Sequence, residues 1–338
     1  MKHAGWKTGM IALLLTGVVG CSNSASPEAA TQQSATPTQQ SATSSQSDSS
    51  TSSQQAIHTI NVDEKKVEEL LAQFKTQPPT KVVTVSVAIT EILNELGVTP
   101  VGVPTTSSKL PASLDNVPRI GTSHQPDLEQ VAKLQPDVIL GPTSIKASID
   151  KKFKPAALPT AYLPVDSIDE LKLSTVVLGR LFKQDEKATA FLQSIVEKEK
   201  TIIDATKGKS APRVLFLFGS AEALMVMNEN TFVGSLARNL GASNVASDVL
   251  KQTETYVPLN MESIVAANPD VILLVAHGDP NAVTKKFEED VKKNGAWEKL
   301  SAFKNGKMKA LDYSTFGIAS LVKVPAAYEE LAQILYNK

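Results

Sequence analysis

Cysteine is almost absent from this chain of 338 residues, and Cys21 is the only one. A single thiol excludes any disulfide within one molecule and any metal centre built from four cysteines. Histidine is scarce too, limited to His3, His58, His124 and His277. So few imidazoles argue against a receptor for bare zinc or manganese, which takes three or more converging His and carboxylate ligands. Arginine occurs at only four positions, 119, 180, 213 and 238, and aromatics make up 5% of the chain, a poor match to bulky or strongly anionic ligands. Charge of either sign is not in excess: the formal net is −1, and no basic stripe carries interleaved aromatics, so nucleic acid is not an expected partner. Enzyme signatures are missing as well, since the sequence has no Gly-x-Ser-x-Gly elbow, no phosphate-cradling Gly loop and no His-Glu-x-x-His helix.

What is present begins with targeting. Lys2 and Lys7 precede an apolar run from Met10 to Val19, too short to span a bilayer and suited to a secretory signal. The run ends in Val18, Val19, Gly20 and Cys21, which resemble a bacterial lipoprotein processing box. That resemblance implies a signal over residues 1–21 and a Cys21 that carries palmitate or a similar acyl chain. Residues 22 to 56 contain 24 Ser, Thr or Gln out of 35, with Glu28 and Asp48 the only charges, so nothing there can bury a core. Residues 22–57 are therefore expected to be a disordered tether with a reach of roughly 30 to 35 Å. The expected location is the extracellular face of the cell membrane.

The rest is long enough for two domains of ordinary size. "DLEQVAKLQPDVIL" at 127–140 and "NMESIVAANPDVIL" at 260–273 share Glu, Pro, Asp, Val, Ile and Leu at an offset of 133. Each copy reads as a capped helix broken by Pro-Asp and followed by a buried strand. Strands are expected at 81–87, in "PVGVP", and at 160–164, 213–218, 270–276 and 307–312, with helices at 89–97 and 232–241. Alternation of this kind predicts α/β lobes with mostly parallel sheets. The expected layout is an N-terminal lobe over 58–165, a helical backbone over 166–208 and a C-terminal lobe over 209–338. The backbone contains one long amphipathic helix at 185–208, and a shorter one is expected at 64–74.

Ligands of open parallel sheets sit at the carboxyl ends of the strands. His277 follows the strand at 270–276, and His124 lies in the loop "RIGTSHQP" just ahead of the first copied helix. One imidazole from each lobe, facing a shared cleft, is an arrangement that holds one metal from both sides. A surface role or a hydrogen bond is the ordinary alternative for a loop histidine.

From about residue 81 to 336 the chain resembles the helical-backbone class of ABC-transporter substrate-binding proteins. The stretches "VGVPTTSSKLP", "VPRIG", "EQVAKLQPDVIL", "AHGDP" and "FGIA" are most similar to the haem-receptor lipoprotein of Isd-type uptake systems in Gram-positive bacteria. The resemblance implies two Rossmann-like lobes joined by a long helix, as in class III periplasmic binding proteins, with the ligand cleft between them. It implies haem (iron protoporphyrin IX) as the transported ligand, an ABC permease dimer as partner, and an upstream haem-relay protein as a further one. The family's second-lobe histidine ligand carries over to His277. Its other ligand, a methionine before the first copied helix, corresponds to His124, and two imidazoles would favour ferric iron. Haem propionates are expected at the start of the helix after Ser86, on the amides of Val87, Ala88 and Ile89, with Thr105, Ser107, Ser108 and Lys109 as added donors; an ordinary helix cap is the alternative. Tyr162, Tyr256, Met225, Met227, Tyr313 and Phe316 are candidates to pack on a porphyrin or to fill the core. Glu129 and Glu262, equivalent in the two copies, match the family's permease-docking glutamates, although the helix dipole alone also accounts for them. A ferric siderophore or corrinoid receptor of the same fold, a divalent-metal receptor and an extracellular enzyme remain as alternatives.

Overall fold

The computed structural model describes residues 60–74, 78–220, 223–277 and 279–336. The expected signal, Cys21 and the tether lie outside the described residues. Among the described residues no helix is long and apolar enough to cross a membrane.

Helix α1 (Glu64–Leu71) starts at Asp63, whose side chain accepts from the amides of Lys65 and Lys66. The first lobe then runs through β1 (Val82–Thr84), α2 (Val87–Glu95), α3 (Leu128–Lys133), β2 (Val138–Pro142), α4 (Lys146–Phe153) and β3 (Thr160–Leu163). Its sheet has the order β1-β2-β3 and is parallel throughout. The stretch expected as a strand at "PVGVP" adds only single bridges on the far side of β1, Val83 to Gly102 and Val103 to Arg119. Helices α5 (Ile168–Leu181) and α6 (Asp185–Thr206) lead to the second lobe.

There the chain forms β4 (Arg213–Gly219), β5 (Leu224–Met227), α7 (Phe232–Asn239), β6 (Ser243–Asn244), β7 (Tyr256–Pro258), α8 (Met261–Ala267), β8 (Val271–Ala276) and α9 (Pro280–Lys293). It closes with α10 (Ser301–Lys304), β9 (Met308–Ala310), α11 (Tyr313–Phe316) and α12 (Val324–Tyr336). The second sheet runs β7-β5-β4-β8-β9, with β6 against the start of β4. Strands β4, β8 and β9 are parallel, whereas β5 is antiparallel to β4 and β7 to β5.

The two sequence copies fold alike. Asp127 caps α3 through the amides of Glu129 and Gln130, and Asn260 caps α8 through that of Ser263. Each helix is followed by a residue in the left-handed region, Gln135 at φ 50° and Asn268 at φ 44°, which turns the chain into the next strand. The shared aspartate then joins that strand to the first strand of its lobe. Asp137 accepts the Lys81 amide and Asp270 accepts the Arg213 amide, each at 2.9 Å. The Thr80 hydroxyl, then the amides of Lys81 and Thr80, hold Asp137 below the usual carboxylate range.

The lobes share one core. Its buried members run from Ile89 and Leu93 in the first lobe, through Leu192 and Ile195 of α6, to Phe216 and Leu331 in the second. Helices α5 and α6 approach closely at Gly179, where an added Cβ would stand 2.6 Å from the Ala188 methyl. About three turns further along the same face of α6, Glu199 is buried and forms an ion pair with Lys172 of α5. Tyr328 of α12 and Asn239 of α7 donate to the same carboxylate, so four helices meet at one charge. A second polar tie joins the lobes directly: the buried Ser320 hydroxyl donates to Glu91 of α2 at 2.6 Å. Burial pushes the Glu91 carboxyl upward.

Candidate functional site

The strand ends determine what meets between the lobes. Along the carboxyl edge of the first sheet the chain leaves β3 at Val165 and Asp166, β2 at Pro142 to Ile145, and β1 at Ser86 to Ala88. The bridged segments beyond β1 continue the series with Thr105 to Ser107 and then Thr122 to His124. Residues from all five turns line a cleft of about 440 Å³, closed from the second lobe by His277, Tyr313 and Gly317 to Ala319. This volume falls within the range of small-molecule sites.

His124 is presented by a pinched loop. Gly121 bridges to Pro126, and the Asp127 amide donates to the Ile120 carbonyl at 2.7 Å. Gly121 has φ 86°, and a Cβ there would lie 2.6 Å from the Gln125 carbonyl oxygen, so the pinch requires glycine. His277 is held from the other side. Its amide donates to the Gly219 carbonyl at 2.8 Å, extending the β4–β8 pairing by one residue. Its ring rests against Phe218 at 5.2 Å, and Phe218 meets Tyr256 edge-on at 5.4 Å.

The two imidazoles face each other with ring centres 5.9 Å apart and planes at 89°. Two imidazoles on opposite sides of one metal, with metal–nitrogen bonds of about 2.0–2.1 Å and roughly 1.1 Å from nitrogen to ring centre, would have centres about 6.3 Å apart. The observed spacing is within a few tenths of an ångström of that value. Partial burial, and then the neighbouring His124, pull the His277 pKa below the ordinary imidazole value and favour the neutral, ligating form. Among the described residues no group of three or more His, Cys, Asp or Glu forms a metal cluster.

Of the residues read as propionate contacts, Ser86, Val87, Ala88, Thr105 and Ser107 line the cleft. The free amide expected at Ile89 is corrected: it donates to the Ser86 hydroxyl at 3.4 Å, and the Ile89 side chain is fully buried. Ser108 and Lys109 are not among the residues that line the cleft, and the Ser108 amide donates to the Thr106 hydroxyl at 3.0 Å. Tyr313 lines the cleft and Tyr256 stands beside Phe218, whereas Met227 and Phe316 are buried in the core. Tyr162 is also buried, and its hydroxyl donates to Asp150 at 2.5 Å; burial and that bond push it up to about 12.

Glu129 and Glu262 both sit in the first turn of their helices and are exposed. Glu129 pairs with Lys133 at 2.9 Å, and the equivalent of Lys133 in the second copy is Ala266. Sequence reasoning did not find Phe218, Ser144 or Asp166. Phe218 lies inside an apolar strand, where nothing distinguishes a supporting ring from a core one. Ser144 and Asp166 come together only through the adjacency of β2 and β3.

A profile of the periplasmic binding protein family matches residues 82–315. The high-affinity heme uptake system protein IsdE of Staphylococcus aureus is 30% identical over 260 residues, covering 76% of this chain and 87% of IsdE. The crystal structure of S. aureus IsdE complexed with heme superposes with a TM-score of 0.72 at 29% identity, covering 76% of this chain and 99% of that one. An ABC transporter substrate-binding protein from Listeria monocytogenes superposes equally well, with a TM-score of 0.72 at 33% identity, covering 78% of this chain and 100% of its own. S. aureus SirA complexed with staphyloferrin B shares the fold at a TM-score of 0.62 and 23% identity, covering 77% of this chain and 94% of SirA.

Proposed function

The chain belongs to the periplasmic binding protein family, and we propose that within it this protein is a haem receptor that binds haem between its lobes and delivers it to an ABC permease. The observation that carries this reading is the pair of imidazoles, one from each lobe, 5.9 Å apart across the cleft. A haem iron takes axial ligands on opposite faces of a flat ring, and neutral imidazole suits it. In this reading His124 and His277 are the axial ligands, and the haem propionates lie against the start of α2, near Ser86, Val87 and Ala88, with Thr105 and Ser107 as hydroxyl donors.

The lining favours haem over a strongly anionic chelate. No Lys or Arg lines the cleft among the described residues, whereas a carboxylate-rich siderophore would call for several cations. Cys21 is the proposed lipid anchor on the extracellular face. Glu129 and Glu262, one per lobe, are the proposed contacts for two permease subunits, each supplying cations.

Titration of the apo-protein with haemin tests the reading directly. The expected result is a Soret shift that saturates at one equivalent and a low-spin ferric spectrum. Both His124→Ala and His277→Ala are expected to abolish the low-spin form. A low-spin spectrum unchanged in either variant would remove that histidine as a ligand, and stabilisation by a ferric siderophore alone would replace haem as the cargo. For docking, Glu129→Ala combined with Glu262→Ala should stop uptake while haem affinity stays intact.

A further inference from the structure

The cleft is chemically lopsided. One end, around β1 and the bridged segments, offers the hydroxyls of Ser86, Thr105 and Ser107 and the start of α2. The other end, where β3 stops, presents the carboxylate of Asp166. Strands spaced about 4.8 Å apart put the base of the Asp166 turn roughly 10 Å along the edge from that of Ser86.

Asp166 is fixed in place. The Ser144 hydroxyl donates to its Oδ1 at 3.0 Å, and its own amide donates to Glu170 at 2.7 Å. Among the described residues no cation pairs with it; burial pushes its carboxyl up while the Ser144 hydrogen bond pulls it down, so its full charge is present only well above the ordinary carboxylate range. Its field reaches the second lobe: the Tyr256 hydroxyl is pushed up first by burial and then by the Asp166 charge. Tyr256 meets Phe218, which supports His277, so the charge is felt among the aromatic rings behind the proposed iron site.

Resting on the haem reading, we propose that Asp166 is a specificity-determining residue: a fixed negative charge at the β3 end that turns both haem carboxylates toward α2 and rejects iron porphyrins carrying carboxylates on the opposite edge as well. Haem has its two carboxylates on one edge and apolar vinyl groups on the other, so one orientation keeps like charges apart. An otherwise similar porphyrin with propionates in place of the vinyls has no such orientation. Rejection by a like charge is a direct route to selectivity between ligands of the same shape.

The test compares ferric protoporphyrin with ferric coproporphyrin, which has two propionates where haem has vinyls, by absorbance titration of the full chain at pH 8. Wild type should prefer the dicarboxylate. Asp166→Asn keeps an acceptor for Ser144 while removing the charge, and should tighten the tetracarboxylate about tenfold or more while leaving the dicarboxylate within about threefold. Asp166→Ser should shift the ratio in the same direction. An unchanged ratio in both variants, or a wild type without preference, overturns the role of Asp166. Wild type that binds neither iron porphyrin overturns the haem reading instead.

Discussion

Truncating Glu199 to alanine should destabilise the whole molecule, because this one carboxylate joins four helices. Its side chain is 7% exposed and that of its partner Lys172 is 12% exposed, so solvent cannot replace what is lost. Removing the carboxylate leaves the Lys172 ammonium, the Tyr328 hydroxyl and the Asn239 amide facing the vacated space. Asn239 retains only its bond to the Tyr328 oxygen, at 2.9 Å. Breaking a buried pair from one side costs about 3–5 kcal/mol, mostly through the stranded charge. Urea unfolding at pH 7, followed by circular dichroism, should therefore show a midpoint lowered by roughly 1 M or more in Glu199→Ala. Glu199→Gln should fall between that variant and wild type, since it preserves hydrogen bonding but not the charge pair. The double variant Lys172→Met, Glu199→Leu should recover most of the loss, because no unpaired charge remains. A loss below about 1 kcal/mol in Glu199→Ala would refute the reasoning, since that is the scale of an exposed pair.

Three further outcomes follow from the geometry. Glu91 has a folded-state carboxyl raised above 4.5 by burial, so the folded state binds its proton more tightly than the unfolded chain. Stability should therefore be greatest below that value and decline as pH rises through the raised pKa; Glu91→Gln should flatten the decline in thermal melts taken across this window, and an unaltered slope would exclude Glu91 as its source. Gly121→Ala should cost about 1–2 kcal/mol from its left-handed backbone alone and should weaken haemin binding by displacing the His124 loop; haemin affinity equal to wild type would show that the pinch does not position the ring. Phe218→Ala removes the half-buried ring against which His277 rests, and should lower both stability, by about 1–2 kcal/mol, and the fraction of low-spin haem. Stability lost with the spectrum unchanged would confine Phe218 to the core.

The parts of the fold legible in the sequence were those with a repeated or periodic signal. The copies at 127–140 and 260–273 gave two equivalent helix–strand units, and the long helix was visible from its apolar spacing, ending within two residues of the expected position. Strands β5 and β7 were not legible: Leu224–Met227 is four apolar residues without alternation even though its partner β4 directly precedes it, and β7 pairs with β5 across a long stretch of chain. Helix α5 fell within the stretch expected as helical backbone but without bounds of its own, because its centre, Ser174 to Val177, is rich in β-branched residues and burial against α6 overrides that preference. At the site, His124 and His277 were legible because scarce residues stood at strand ends. Asp166 was not, since nothing in "LPVDSID" distinguishes a cleft carboxylate from a helix-cap region. Ile89 was misread as offering a free amide because the Ser86 side chain, one turn earlier, satisfies it.

The shared core limits how the cleft can open. A wide hinge motion would bring apolar surface along α6 and α12 into water at about 25 cal/mol per Å², so baring even a few hundred Å² would cost several kcal/mol. The Ser320 to Glu91 bond would have to part as well. The molecule therefore behaves more like a stiff jaw than a pair of swinging doors: loading and unloading are confined to small displacements at the lips of the groove.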